Sequence, residues 1–180
     1  MKLWSYFDIP NWEDMRDRIN QRWADEYPKM KMLNYFPNHV IYETVPDLKD
    51  WLDSQGITVS GFGIFIFQYN TTDSKVHVDI GNPTNYRFNI PLMNTNTSHT
   101  EFFETVWDKG VDIQNLDATE DSPVREWEYG DEGTLLDGFV LNQPAILHVR
   151  VPHRVRVIEN KPRICLTACP ISDSQLLRFL

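Results

Sequence analysis

Residues 57 to 92 read ITVSGFGIFIFQYNTTDSKVHVDIGNPTNYRFNIPL, and this stretch decides the fold. From Ile57 to Phe67 β-branched and aromatic residues dominate, the composition of a pleated, half-buried strand. Asn70-Thr71-Thr72-Asp73 supplies turn chemistry, and Val76-His77-Val78-Asp79-Ile80 then alternates, so the two runs read as a strand pair. Tyr86 to Leu92 continues the pattern. Further candidates are Thr100 to Val106, Ala145 to Val151 and Arg163 to Cys169, divided by segments rich in Gly, Pro, Asn and Asp. Short strands punctuated in this way imply a sandwich or barrel. The acidic, weakly periodic stretch from Asp108 to Asp137 reads as a long surface loop.

Upstream of this region the pattern is helical. Asn11 can cap a helix through Trp12, Met15, Ile19 and Trp23, whose spacing of three to four residues builds one apolar face before Pro28 interrupts. A second helix is expected from about Val45 to Leu52, ending at Gly56. Helices followed by strands indicate an α+β, mainly β chain rather than an alternating βαβ one. Residues 1–56 are expected to form a mostly helical cover on one sheet and residues 57–180 the β core. A chain of 180 residues is expected to be a single domain with one site.

Composition narrows the partners. The net charge of −9 repels a phosphate backbone, so nucleic acid is not expected as a partner. No segment reaches the roughly 18 apolar residues of a membrane span, and the N-terminus lacks the apolar stretch of a signal peptide; a cytoplasmic protein is the expectation. The two cysteines, Cys165 and Cys169, are four strand steps apart. That separation is roughly 13 Å, beyond the roughly 7 Å a disulfide tolerates, so both are expected as free thiols.

The chemistry-bearing pattern starts in the opening stretch. Side chains two apart on a strand share a face, so His77 and Asp79 project together while Val78 points away. Such a pair is common by chance and needs a third ligand. His153, after a strand and a proline, supplies one. Two His and one carboxylate form the facial triad that holds Fe(II) and leaves positions open. Arg163, ten residues on, opens the next strand, where a guanidinium can clamp a carboxylate through paired charge-assisted hydrogen bonds. Its same-face neighbours are Cys165 and Thr167.

The order of His77-Val-Asp79, the Arg87-Phe-Asn89 strand, Pro152-His153 and Pro162-Arg163 resembles the 2-oxoglutarate/Fe(II) oxygenases of double-stranded β-helix (jelly-roll, cupin-like) fold, particularly the aspartyl/asparaginyl β-hydroxylase-like branch. The resemblance covers about Val76 to Thr167. Asp79 stands where many hydroxylases of that branch carry Gly, Asn89 where a His is often found, and Cys165 where related enzymes often place Ser. The resemblance implies Fe(II) on His77, Asp79 and His153, with 2-oxoglutarate as cosubstrate on Arg163, Arg87, Asn89 and Thr167. It further implies oxidative decarboxylation to succinate coupled to C–H oxidation of a small-molecule or peptide substrate, with a peptide side chain or amino acid favoured. The alternatives are a cupin-type metalloenzyme that works without 2-oxoglutarate, and a non-catalytic jelly-roll binding module.

The remaining candidates take plainer readings. His148 reads as a satisfied strand histidine, His99 as a loop or strand-edge residue and His39 as part of a connection. Arg150, Arg154 and Arg156 alternate with Val and read as decoration of an exposed strand face. Most tryptophans fall at apolar periodic positions and suit the core, whereas Trp107, Trp127 and Tyr129 flank the acidic stretch, where a lid would sit.

Overall fold

The computed structural model describes residues 2–67, 75–80, 84–105, 110–115, 124–129 and 133–180, with 110–115 and 124–129 described in backbone only. In chain order the strands are β1 (Trp4–Tyr6), β2 (Leu33–Phe36), β3 (Val59–Phe67), β4 (His77–Asp79), β5 (Tyr86–Met93) and β6 (Ser98–Glu104). They continue as β7 (Gly110–Asn115), β8 (Val124–Tyr129), β9 (Thr134–Val140), β10 (Ala145–His148), β11 (His153–Val157) and β12 (Arg163–Pro170). The helices are α1 (Trp12–Trp23), α2 (Asn38–Thr44) and α3 (Pro46–Ser54). None of them is long and apolar enough to cross a membrane.

Two six-stranded sheets result, ordered β1-β10-β5-β12-β3-β2 and β7-β8-β4-β11-β6-β9, with every pairing antiparallel. The chain passes from one sheet to the other between β3 and β4, β4 and β5, β5 and β6, and again at β9–β10, β10–β11 and β11–β12. Phe102 and Phe139 of the second sheet cluster with Ala145, Leu147 and Cys165 of the first, so inner faces of both sheets share one apolar layer.

The helices cover the outer face of the first sheet because their apolar stripes match that face. Met15, Ile19 and Trp23 of α1 recur every four residues and are buried, as are Leu48 and Leu52 of α3. They meet Phe62, Ile64 and Ile66 of β3, Ile164 and Leu166 of β12, and Phe88 and Ile90 of β5. Arg18 ties α1 to α3, reaching Asp14 at 2.9 Å and Asp47 at 2.6 Å. Pro46 opens α3 at a position where its missing N–H costs nothing, and Gly56, at φ +61, lies in the left-handed turn beyond its end.

Several sequence expectations are corrected. Asn11 does not cap α1 with its side chain; it takes the left-handed conformation, φ 57, and Met15 N–H reaches its carbonyl instead. The β3 and β4 runs are not paired, because they belong to different sheets; alternation reports a strand's two faces and not its neighbour. The turn at Asn70–Asp73 lies outside the described residues. The expected loop from Asp108 to Asp137 contains β7, β8 and most of β9. Val111 and Ile113 alternate with polar residues there, a two-residue period that acidic composition disguises. Trp107 lies outside the described residues, as do the side chains of Trp127 and Tyr129.

The N-terminal cover is also less purely helical than expected, since β1 and β2 form the two edges of the first sheet. His39 lies within α2, and His99 within β6 opposite Arg156 and Val140. Arg154 is not surface decoration: Glu101 holds it at 2.8 Å, the Phe103 ring lies beneath it, and both charged side chains are nearly buried. Arg156 is half exposed and joins the same Glu101 at 3.2 Å.

Candidate metal centre

β4 is only three residues long, and its alternation sets the site. Val78 turns outward into a small cluster with Val76 and Phe103, and burying it there commits His77 and Asp79 to the inner face. β11 lies beside β4, with His153 directly opposite His77. In an antiparallel pair, residues directly opposite send their side chains to the same face, and the two imidazole centroids stand 4.5 Å apart. The Asp79 N–H bonds to the Val149 carbonyl at 3.0 Å, which holds β4 against the segment leading into β11.

Ligand atoms of His77, Asp79 and His153 lie within 4.8 Å of one another, and among the described residues this is the group able to hold a metal ion. Both rings are oriented from behind. His77 Nδ1 lies 2.8 Å from the Lys75 carbonyl and His153 Nδ1 lies 2.9 Å from the Val151 carbonyl. A carbonyl only accepts, so each Nδ1 carries the proton and each Nε2 keeps a lone pair for a metal. Burial, with His77 close by, pushes the His153 pKa down to about 4, so the ring is neutral near pH 7, the form that ligates.

Asp79 has its two oxygens engaged differently. Oδ1 lies 3.6 Å from His77 Nε2, and Oδ2 lies 3.3 Å from Arg87 Nε. Burial weighs against the Arg87 charge, yet Asp79, with Cys169 and Tyr35 alongside, holds its pKa above the ordinary guanidinium value.

The opposite wall belongs to the first sheet. Alternation along β12 turns Arg163, Cys165 and Thr167 to the inner face while Ile164, Leu166 and Ala168 enter the core beneath the helices. On β5, Arg87 and Asn89 alternate in the same way with Phe88 and Ile90. Thr167 lies opposite both Gly63 of β3 and Asn89 of β5. Gly63 leaves room at that crossing, since a Cβ would come within 2.8 Å of Leu33 Cδ1 and 3.2 Å of Thr167 Cγ2 and both side chains would have to shift. One cavity is lined by His77, Asp79, His153, Arg87, Asn89, Arg163 and Thr167, so all seven residues singled out from the sequence meet there.

Arg163 is the most unusual member. It is 2% exposed, its guanidinium carbon lies 5.5 Å from the Phe67 ring centre, and its Nη1 reaches the Cys165 sulfur at 3.7 Å. Among the described residues it has no carboxylate partner, and its Nε makes no hydrogen bond. The Asn89 amide oxygen and the Thr100 hydroxyl, on the same cavity, are likewise buried without a hydrogen-bond partner among the described residues. Burial raises the Cys165 thiol pKa, with Arg163 pulling partly the other way, so the sulfur is no counter-ion.

Sequence reasoning missed Thr100 and the aromatic pair Phe65 and Phe67, stacked at 4.7 Å. The alternation of β3 could have found the two rings, which share a face with Gly61 and Gly63; Thr100 carries no such signal, because the pairing of β6 with β11 is what aligns it. His148 sits on the outer face against Tyr86, with ring centroids 4.6 Å apart, and does not reach the centre.

The arrangement defines a class: a mainly β protein of two sheets with a candidate His-Asp-His metal centre between them. No protein-family model matches the chain, and no curated protein matches it. Solved structures similar to it include a non-haem α-ketoglutarate-dependent carbocyclase of nogalamycin biosynthesis, at 12% identity over 92% of this chain and 77% of that one, with a TM-score of 0.49. HygX from Streptomyces hygroscopicus, with nickel and 2-oxoglutarate bound, is similar at 13% identity over 91% and 79%, with a TM-score of 0.45. A Pseudomonas putida prolyl-4-hydroxylase is similar at 12% identity over 93% and 91%, with a TM-score of 0.43. Likeness this distant carries no weight for the chemistry of the site, which rests on its own atoms.

Proposed function

We propose that the protein is a 2-oxoglutarate-dependent non-haem Fe(II) oxygenase, with iron on His77, Asp79 and His153 and the distal carboxylate of the cosubstrate on Arg163. The carrying observation is the buried Arg163 guanidinium, without a carboxylate partner among the described residues, opening on the same cavity as the triad. An unpaired buried cation is costly, and a bidentate carboxylate offsets that cost. The strand order supports the reading too: β10-β5-β12-β3 against β9-β6-β11-β4, filled by a chain that alternates between sheets, is in keeping with the double-stranded β-helix that this reading calls for.

The donor set fits Fe(II), two neutral imidazoles and a carboxylate on one side of an ion. When bound, the metal and cosubstrate together supply the oxidising chemistry that a C–H bond requires. The chain's residues bind and orient. The Lys75 and Val151 carbonyls hold the two Nε2 atoms inward, Asn89, Thr100 and Thr167 offer polar contacts along the cosubstrate wall, and Phe65 and Phe67 keep water from the Arg163 pair. In this reading the activity is a hydroxylation, of a peptide side chain or amino acid in keeping with the aspartyl/asparaginyl β-hydroxylase-like motif order, in a cytoplasmic setting.

Anaerobic titration with Fe(II) and 2-oxoglutarate tests the proposal. The weak visible charge-transfer band of the chelate is expected in wild type and lost in His77→Ala, and admission of oxygen is expected to produce succinate. Metal binding without the band would favour a cupin-type metalloenzyme, and no stoichiometric metal binding would favour a binding module.

A further inference from the structure

Asp79 divides its carboxylate between two partners. One oxygen faces the focus of the two imidazoles, 3.6 Å from His77 Nε2, while the other lies 3.3 Å from Arg87 Nε as an ion pair and not a hydrogen bond. Arg87 is itself fixed: its side chain is 7% exposed, it stands on β5 directly opposite Leu147 of β10, and Tyr35 and Cys169 adjoin its guanidinium. With a buried cation paired to its other oxygen, a carboxylate presents a single oxygen to an ion. Without such a hold it is free to rotate or to chelate through both oxygens and use up an open coordination position.

We infer that Arg87 is a positioning residue that makes Asp79 a one-oxygen ligand, and not a contact for the cosubstrate. The inference rests on the triad reading above. It opposes simple electrostatics, because a guanidinium beside a divalent ion repels it, and removing that charge alone would tighten metal binding. Orientation works in the other direction: loss of a group that holds a metal ligand typically weakens binding by about 10- to 100-fold. The sign of the change therefore separates the two effects.

The test uses Mn(II) alone, titrated by calorimetry, and Co(II) alone, followed by its visible absorption. Arg87→Gln is expected to bind Mn(II) about tenfold more weakly or worse, with a changed Co(II) spectrum as Asp79 takes a second coordination position. Arg87→Lys is expected to recover part of the affinity. Unchanged or tighter Mn(II) binding by Arg87→Gln overturns the inference. Should that variant fail to fold, Arg87→Met carries the test, and a Co(II) spectrum identical to wild type in it overturns the inference. Failure of the wild type to bind either ion would instead overturn the triad reading.

Discussion

The two faces of the first sheet are made by the same strands and have opposite characters. Along β12 the outward residues Ile164, Leu166 and Ala168 enter a core with α1 and α3, while the inward residues Arg163, Cys165 and Thr167 line the candidate centre. Along β5, Phe88 and Ile90 face the helices while Arg87 and Asn89 face the cavity. The outer face is mainly apolar, with a pocket lined by Tyr27, Ile66, Met93 and Ile164 at one side and the His148 Nδ1 buried without a hydrogen-bond partner among the described residues; the cavity between the sheets gathers more such atoms, on Arg163, Asn89 and Thr100. The larger apolar cluster lies on the outer face, and the inner face combines a smaller one with groups that a ligand would satisfy.

The sharpest test of this contrast lies on the outer face. Phe88 is fully buried against Phe7 and Phe62, and Phe88→Ala is expected to cost about 3–5 kcal/mol in denaturant unfolding. A change below about 1 kcal/mol would mean that this face is not the stabilising one.

Arg163→Met is expected to separate the faces in the opposite sense. Cosubstrate binding should weaken by about 2–5 kcal/mol, the cost of stranding one partner of a buried pair. The ligand-free protein should be no less stable, and up to about 1–4 kcal/mol more so, because a buried cation is exchanged for an apolar chain. Unchanged 2-oxoglutarate affinity would remove the clamp.

Acid is expected to act through the inner face. His153 is neutral when folded, its pKa lowered from 6.5 to about 4 by burial first and by His77 second. Its contribution is present above the unfolded value of 6.5 and is lost as pH falls from 6.5 toward about 4, levelling off below. The full loss is on the order of 3 kcal/mol for the metal-free protein. Urea unfolding across this range should show the slope, and an equally steep profile in His153→Gln would place its origin elsewhere.

The smallest effect is expected at the crossing of β3 and β12. Gly63→Ala drives a methyl into Leu33 and Thr167, at 2.8 Å and 3.2 Å, and overpacking of this kind costs about 1–3 kcal/mol. Cosubstrate affinity should fall with it as Thr167 is pushed aside, and calorimetry on the folded variant reads that shift directly.

Much of this contrast is legible in the sequence. A period of two in ITVSGFGIFIF and in the Arg163–Cys169 run sorts residues onto faces, and the same rule pairs His77 with Asp79. Acidic composition hides the period of two in β7 and β8, and edge strands as short as β1 and β2 leave too few residues for a pattern to register. The side-chain cap expected at Asn11 fails because a left-handed residue turns its side chain away from the first turn of the helix.

Local sequence thus determined which side chains alternate, which helix face is apolar and which residue types could ligate a metal, because each follows from backbone periods that span only a few residues. The meeting of His77 with His153, the split of Asp79 between the triad and Arg87, and the burial of Arg163 away from any carboxylate among the described residues were decided only by tertiary structure. Register between strands far apart in the chain, and the burial that comes with it, are properties of the pairing and not of either strand alone.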